Sequence, residues 1–322
     1  MKIRRKTNSC LNCGHTLSEV YNFCPHCGQE NNDNNVSFGT FIGDFFSNYF
    51  SFDTRIGRSL HPFFLRPGYL TNQFNAGKRM RYVHPLRLYL VVSLIFFFLI
   101  SLSVDSSVQV ESADFGRGML ESFFDLDSLD NDTSELIISI IQSPTLSDEQ
   151  MLDSLEQMGQ KEIEAKANKL RNNWMERRVF SQGRRLARVG PAYFIATLVK
   201  NLPFVLLIAM PIFALLLKGL YVRRRILYVQ HLVHTLHLHS FSLLLFSALI
   251  AFNLTGIANE AGDYAEGAVF LLLLGYVLLS FRRVYQQKWW KTIVKTGVLG
   301  LFYVVIIAMV LVSEFLVSFM IF

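Results

Sequence analysis

The clearest chemistry in the chain lies in one short stretch, CLNCGHTLSEVYNFCPHCGQ, which holds all four cysteines. Cys10 and Cys13 form one C-x-x-C pair, Cys24 and Cys27 form a second, and a glycine, Gly14 or Gly28, follows each. Two such pairs place four thiolates around one tetrahedral zinc ion, and the glycines let the chain turn back with backbone N–H groups aimed at sulfur. Four protein ligands leave no coordination position open for water, so the zinc expected here is structural and not hydrolytic. A piece of about 25 residues buries too little apolar surface to fold unaided, so its fold is expected to depend on the metal. Two disulfides or a redox dithiol are the competing uses of these thiols, and a reducing cytosol argues against the first. His15 and His26 neighbour the cysteines but are surplus to a closed shell of four thiolates. Ribbons of this kind bind nucleic acid or protein, or cap a terminus. The cations at residues 2–6 offset the double negative charge of a zinc tetrathiolate and so say little for nucleic acid; a protein partner is the expectation.

A second group of chemically able residues lies in PGYLTNQFNAGKRMRYVHP, which carries Lys78, Arg79 and Arg81 and is followed by Arg87. A nucleotide-phosphate loop needs G-x-x-x-x-G-K-[ST]. Here Asn72 stands five residues before Gly77, and Arg79 replaces the magnesium-binding hydroxyl, so that reading fails twice. Nucleic acid would need a separate basic face with stacking aromatics, whereas Pro85 and an apolar run hold these cations at head-group depth. Lys78, Arg79, Arg81 and Arg87 are therefore read as contacts for anionic lipid phosphates, worth about 1 kcal/mol each near an anionic leaflet. Further on, VQHLVHTLHLHSF sets His231, His234 and His237 on one drifting helical stripe, with His239 pointing elsewhere. Neutral imidazoles bind zinc, iron or haem, so a second metal or haem site built from His84, His231, His234 and His237, with His61 nearby, is one reading. The plainer one is that these rings hydrogen-bond backbone, lipid or neighbouring helices.

A membrane is the medium that must position these groups. Of 322 residues, 51% are hydrophobic and only 17% charged, too apolar for one ordinary soluble domain. Five runs, 86–104, 202–220, 241–257, 265–281 and 297–319, approach or exceed the ~20 helical residues that a hydrocarbon core of about 30 Å requires. The formal charge of +6 is unevenly spread. Lys218 and Arg223, Arg224 and Arg225 close the second run, while Arg282, Arg283, Lys288, Lys291 and Lys295 lie between the fourth and fifth. The connection after the third run carries Glu260, Asp263 and Glu266 and no Lys or Arg. By the positive-inside rule the basic ends face the cytoplasm, with the N-terminus inside and the C-terminus outside. Lys2, Arg4, Arg5 and Lys6 lead into polar sequence without an apolar h-region, so the first run is expected to act as its own insertion signal.

Between ribbon and first span, NNDNNVSFG reads as a linker. Phe38, Phe41, Ile42, Phe45, Phe46, Tyr49 and Phe50 then recur at helical steps, either in the interface or packed onto the ends of the spans. Residues 105–190 are expected outside the cytoplasm. Their acidic part, with Asp125, Asp127, Asp130 and Asp132, fails as an EF-hand, because Leu129 takes a ligand position and Asp130 the required glycine. The box Ser147-x-x-Gln150 starts a helix carried by Met151, Leu155, Met158, Leu170 and Trp174, with Glu162 and Lys166 paired, as far as Arg188. Its six arginines, Arg171, Arg177, Arg178, Arg184, Arg185 and Arg188, are an awkward density for an external segment. Glu314 and Lys200 are placed near outer span ends, and Pro203 and Pro211 are expected to kink the second span.

Asp53, Leu60, Arg66-Pro67-Gly68, Phe74, Gly77-Lys78-Arg79, Tyr82, Pro85 and Tyr89, between the ribbon and the later histidines, resemble an uncharacterised family of bacterial integral membrane proteins known only as a domain of unknown function. The resemblance spans nearly the whole chain, most densely over 10–100 and 203–241. It implies a bacterial, inner-membrane location and no activity. The fold expected is mainly α: a polytopic helical membrane bundle of about five spans with a small N-terminal zinc ribbon. Its parts are the ribbon (1–30), linker, interfacial helix and basic motif (31–85), first span (86–104), extracytoplasmic loop and helix (105–190) and the remaining bundle (191–322). No nucleophile–base pair or Gly-rich nucleotide loop is readable, so an enzyme is not expected. A partner-recruiting membrane scaffold is the leading expectation. The alternative is a transporter or membrane enzyme using the basic motif and histidine face on a lipid or anionic substrate. That alternative requires Lys78, Arg79, Arg81, His84, His231 and His237 to converge on one enclosed polar cavity.

Overall fold

A computed structural model describes residues 6–18, 20–32, 38–39, 41–42, 55–107, 139–140, 147–157, 172–189, 191–255 and 261–321. Among them the principal helices are α1 (Arg55–Leu65), α2 (Tyr69–Asn75), α3 (Pro85–Ser107), α4 (Asp148–Glu156), α5 (Trp174–Val189), α6 (Pro191–Leu220), α7 (Tyr228–Leu254), α8 (Ala261–Tyr285) and α9 (Trp289–Ile321). Five of these, α3 and α6 to α9, are long and apolar enough to cross a membrane. Leu94, Phe98, Phe204, Phe270, Leu271 and Leu301 stand open along them, as side chains facing lipid hydrocarbon do.

Several helices begin before the apolar runs, α6 and α7 by the most. Helix α6 begins at Pro191 and not at residue 202, with proline at a first helical position where its missing N–H costs nothing. It continues as one element through Pro203 and Pro211, and the Tyr228 hydroxyl donates to the Pro211 carbonyl at 3.2 Å. Helix α7 begins at Tyr228 and not at residue 241, so the histidines lie within the candidate span (Tyr228–Leu254) instead of ahead of it. Imidazoles interrupt an apolar run in sequence, yet they are tolerated in a buried helix when neighbouring elements satisfy their nitrogens.

The chain divides into two compact units. The first comprises residues 1–100 and 203–308. Its core joins Tyr89 and Val92 of α3, Met210 and Leu217 of α6, Val233 and Leu236 of α7, and Phe281 and Tyr285 of α8. The short α1–α2 hairpin is clasped onto this core by its backbone. Tyr276 donates to the Phe63 carbonyl at 2.8 Å and stacks on Phe241, and Arg283 donates to the Pro67 carbonyl at 2.7 Å. Asn72 returns a bond to the Arg283 carbonyl at 3.2 Å. Ser59, buried in α1, donates to the Arg55 carbonyl and accepts from the Val83 N–H, tying the hairpin to the turn that enters α3. The hairpin corner is Gly68, left-handed at φ 73°, and a Cβ there would lie 2.9 Å from the Ser280 carbonyl oxygen.

The second unit comprises residues 101–202 and 309–322. The capping box forms as expected: Ser147 accepts from the Gln150 N–H, and the Gln150 side chain accepts from the Ser147 N–H. Asn173 starts α5 by accepting from the Met175 N–H. Arg178 of α5 donates twice to the Met320 carbonyl, at 2.8 and 3.2 Å, so one of the crowded arginines caps the C-terminal end of α9. Glu314 accepts from Asn201 at 3.1 Å and from Ser318 at 2.6 Å, which satisfies a carboxylate within an apolar helix. Residues 33–37 and 43–50, the acidic residues 125–132, Met158, Glu162, Lys166, Leu170 and Arg171 lie outside the described residues, as do residues 2–5 and Glu260.

Gly68→Ala adds a left-handed strain of about 1–2 kcal/mol and an overlap worth about 1–3 kcal/mol, and is expected to lower thermal stability in detergent clearly. Gly219→Ala, in a helix with open space around the added methyl, is the control and should leave the unfolding temperature unchanged or slightly higher.

Candidate functional site

The two C-x-x-C-G turns adopt one geometry twice. Gly14 donates its N–H to the Cys10 carbonyl at 2.8 Å and Gly28 to the Cys24 carbonyl at 2.9 Å, both with φ above 70°. Glycine takes this left-handed corner without the Cβ penalty. Isolated bridges, Ser9 with Thr16 and Phe23 with Glu30, close each turn. Backbone N–H groups point at the sulfurs: Asn12 and Cys13 at Cys10, His15 at Cys13, Gln29 at Cys27. All four sulfurs lie within 4.8 Å of one another, with Cys10 to Cys27 at 3.5 Å and Cys13 to Cys24 at 3.7 Å. A tetrahedron with metal–sulfur bonds of about 2.3 Å has edges of about 3.8 Å, so the four thiols fit a closed metal shell of zinc's size. His15 and His26 are exposed and stack on each other at 5.9 Å. The His15 N–H alone would lower the Cys13 thiol, but burial and three neighbouring thiols push it up to about 12. Cys27, which burial would raise, is held down to about 7 by the Gln29 N–H, Asn12 and the thiols of Cys10 and Cys13.

The ribbon is fastened to the basic turn by one amide. Gln29, buried, donates to the Gly77 carbonyl at 2.8 Å and accepts from the Arg79 N–H at 3.2 Å, so both ends of its side chain read the backbone of Gly77-Lys78-Arg79. This turn opens a cleft between Cys13 and Cys27 on one side and Arg58, Met80 and Arg81 on the other. Arg81 thus lines the cleft beside the thiolates and also stacks over Tyr82, while Arg79 stacks over Phe74. Two arginines beside four thiolates offset the net negative charge that a divalent tetrathiolate centre would carry. Lys78 and Arg87 are half-buried. His84 lies between Phe41, at 4.7 Å, and Phe74, at 5.8 Å; burial, with Arg87 and Arg79 adding to it, pushes its imidazole down to about 4.

The α7 histidines meet other elements. His231 and His234 both bond the Tyr285 hydroxyl through Nδ1, at 2.9 and 3.3 Å, and His234 Nε2 bonds Ser280 at 2.9 Å. A hydroxyl has one proton to give, so Tyr285 donates to at most one of the two rings, and at least one Nδ1 must carry a proton of its own. His237 bonds Thr71 of α2 at 2.9 Å. His239 Nδ1 faces the Thr235 carbonyl and must carry a proton, so Nε2 accepts from Tyr303 at 2.6 Å. Among the described residues, the four cysteines are the group of three or more potential ligands close enough to hold one metal. His84, by contrast, sits in its aromatic slot, and His231, His234 and His237 are spread over bonds to α8 and α2. Sequence reasoning missed Gln29 and the hydroxyl partners Tyr285, Ser280, Thr71 and Tyr303, because single polar residues at helical positions carry no spacing signal.

Comparison with known proteins bears on one part of this assembly. Residues 53–97 match the family model described as a protein of unknown function, DUF3667. The matched stretch contains α1, α2, the basic turn and the entry of α3, which are the segments that clasp α8 and receive the ribbon. No curated protein and no solved structure matches the chain.

Two outcomes are expected. The purified protein should hold one zinc per chain, lost in Cys24→Ser, with binding that releases protons and tightens as pH rises, read by metal analysis and a pH indicator. For His84 the folded value lies below the ordinary 6.5, so the unfolded chain binds the extra proton between the two. Its contribution is complete above about pH 6.5 and is lost towards pH 4, by about 3 kcal/mol. Unfolding of the wild type and His84→Phe between pH 4 and 7 should show the smaller acid loss in the variant.

Proposed function

We propose that this multi-pass membrane protein is a non-enzymatic scaffold whose zinc ribbon recruits a protein partner at the membrane surface. The observation that carries the reading is the Gln29 clamp combined with what the ribbon leaves uncovered. One face of the ribbon is fixed to the Gly77–Arg79 backbone, while Val20, Tyr21 and Phe23 remain 83%, 46% and 62% exposed. Large apolar side chains held out on a rigid, metal-dependent knuckle are what a partner's surface buries on binding. Charge asymmetry supports placing this end in the cytoplasm of a bacterial cell, with the inner membrane as its site and the C-terminus in the periplasm. The transporter or enzyme reading needs six basic and imidazole groups around one cavity. Arg81 beside the thiols, His84 between two phenylalanines, and His231 and His237 bonded to Tyr285 and Thr71 support the scaffold instead.

The test is affinity capture of the tagged full-length chain from crosslinked membranes, comparing wild type with a Val20→Asp, Phe23→Asp double variant. A specific protein captured by wild type should be lost from the variant while its zinc content stays at one per chain. Undiminished capture by the zinc-loaded variant would overturn the reading.

A further inference from the structure

A second basic feature lies away from the ribbon, where the end of α6 meets the start of α9. Here a cleft of about 450 Å³ is lined by Arg223, Arg224, Lys291 and Lys295 together with Tyr221 and Trp290. Lys295 donates to the Leu220 carbonyl at 2.9 Å and lies 4.1 Å from the centre of the Tyr221 ring; Lys291 lies 5.3 Å from that of Trp290. No Asp or Glu occurs anywhere in residues 177–259 or 267–313, and among the described residues none that lines the cleft is acidic. Four cations crowded round one hollow repel one another unless an anion enters it.

Two further observations indicate what kind of anion. Tyr221 is only 2% exposed, yet its hydroxyl has no hydrogen-bond partner among the described residues. A buried hydroxyl left unsatisfied costs free energy, which an acceptor entering from the cleft far enough to reach it would recover. The rim is apolar: Val222, Trp290 and Val294 are 76%, 62% and 55% exposed beside the charged groups. The cleft also sits where one candidate span ends, at Leu220, and another begins, at Trp289, which is head-group depth. A charged floor with an apolar rim at that depth suits a molecule having both a phosphate and a glycerol–acyl portion.

We infer that this cleft binds the phosphate head group of an anionic phospholipid, held by Arg223, Arg224, Lys291 and Lys295 with the Tyr221 hydroxyl as an additional donor. The site is separate from the ribbon and from Lys78, Arg79, Arg81 and Arg87, and does not depend on the scaffold reading.

Retention of phosphatidylglycerol by the zinc-loaded full-length protein, taken from phosphatidylcholine nanodiscs containing it and measured by native mass spectrometry, tests the assignment. The Arg224→Gln, Lys291→Gln pair should weaken retention by roughly 25-fold, at about 1 kcal/mol per cation. Arg225→Gln with Lys288→Gln removes the same charge from neighbouring exposed positions outside the cleft and should change it little. Tyr221→Phe keeps the ring, removes only the unpartnered hydroxyl, and should weaken retention by about tenfold without loss of thermal stability. Equal losses in the two charge pairs would mean diffuse attraction and overturn the site, as would an unchanged Tyr221→Phe. Displacement of the lipid by millimolar inorganic phosphate, with phosphate binding equally well in lipid-free micelles, would assign the cleft to a soluble anion and overturn the lipid.

Discussion

An imidazole buried among membrane helices must find its hydrogen bonds inside the protein, because hydrocarbon offers none. Four histidines on α7 impose that requirement on every neighbour: α8 answers with Tyr285 and Ser280, α2 with Thr71, and α9 with Tyr303. Each bond is short enough to fix the rotation and depth of the helix that supplies it. The Thr71 bond has the longest reach in consequence, since α2 is a two-turn helix in which Leu70 and Thr71 are the buried residues. With α2 held against His237, Gly68 is brought onto the Ser280 carbonyl, where no side chain fits, and Arg283 can reach the Pro67 carbonyl. The basic turn then follows directly on α2, and its backbone becomes the surface that Gln29 reads. A polar network inside the bundle thus determines where a ribbon outside it is seated.

The same chain of contacts runs through the stretch that matches a family model. Residues 53–97 hold the elements whose backbone groups are grasped from elsewhere: the Phe63 and Pro67 carbonyls by α8, and the Gly77 carbonyl by the ribbon. Contacts made through backbone and through a left-handed glycine tolerate few alternatives in local chain path. Lipid-facing positions such as Leu94, Phe270 and Leu301 ask only for an apolar side chain.

How far the sequence was legible follows the same division. The cysteine pairs could be read because metal geometry dictates both ligand type and local spacing, and the glycines after them because one turn demands φ above zero. The spans could be read because hydrocarbon thickness sets a minimum length. The start of α7 could not, since its histidines look polar in a window of sequence while in the fold each nitrogen bond is supplied by residues far away in the chain. His84 was legible as a ligand-bearing side chain, but not as a ring enclosed by Phe41 and Phe74, and Arg81, read towards lipid, was not legible as lining the cleft beside Cys13 and Cys27. Gln29 follows the last cysteine pair almost at once, and nothing in its neighbours distinguishes an amide that clamps two backbone groups from one that faces water.

Charge closes the argument about what surrounds this end of the first unit. From residue 54 to 104, 177 to 259 and 267 to 313 the chain has no acidic residue, yet those stretches supply the arginines and lysines of the basic turn, the α6–α7 connection and the α8–α9 corner. Arg58 and Arg81 have the thiols beside them, Arg282 lies 4.1 Å over Trp289, and Lys295 is turned to a carbonyl and a ring. Apart from the thiols, such contacts orient a cation without neutralising it. Soluble proteins intersperse the two signs on their surfaces, which lets neighbouring side chains do that work. Here those stretches carry no opposite sign, and a surface built that way favours a medium that brings its own anions, at a fixed depth and high density. A leaflet of anionic lipid head groups would meet both conditions, which supports the lipid proposed for the cleft over a free solute.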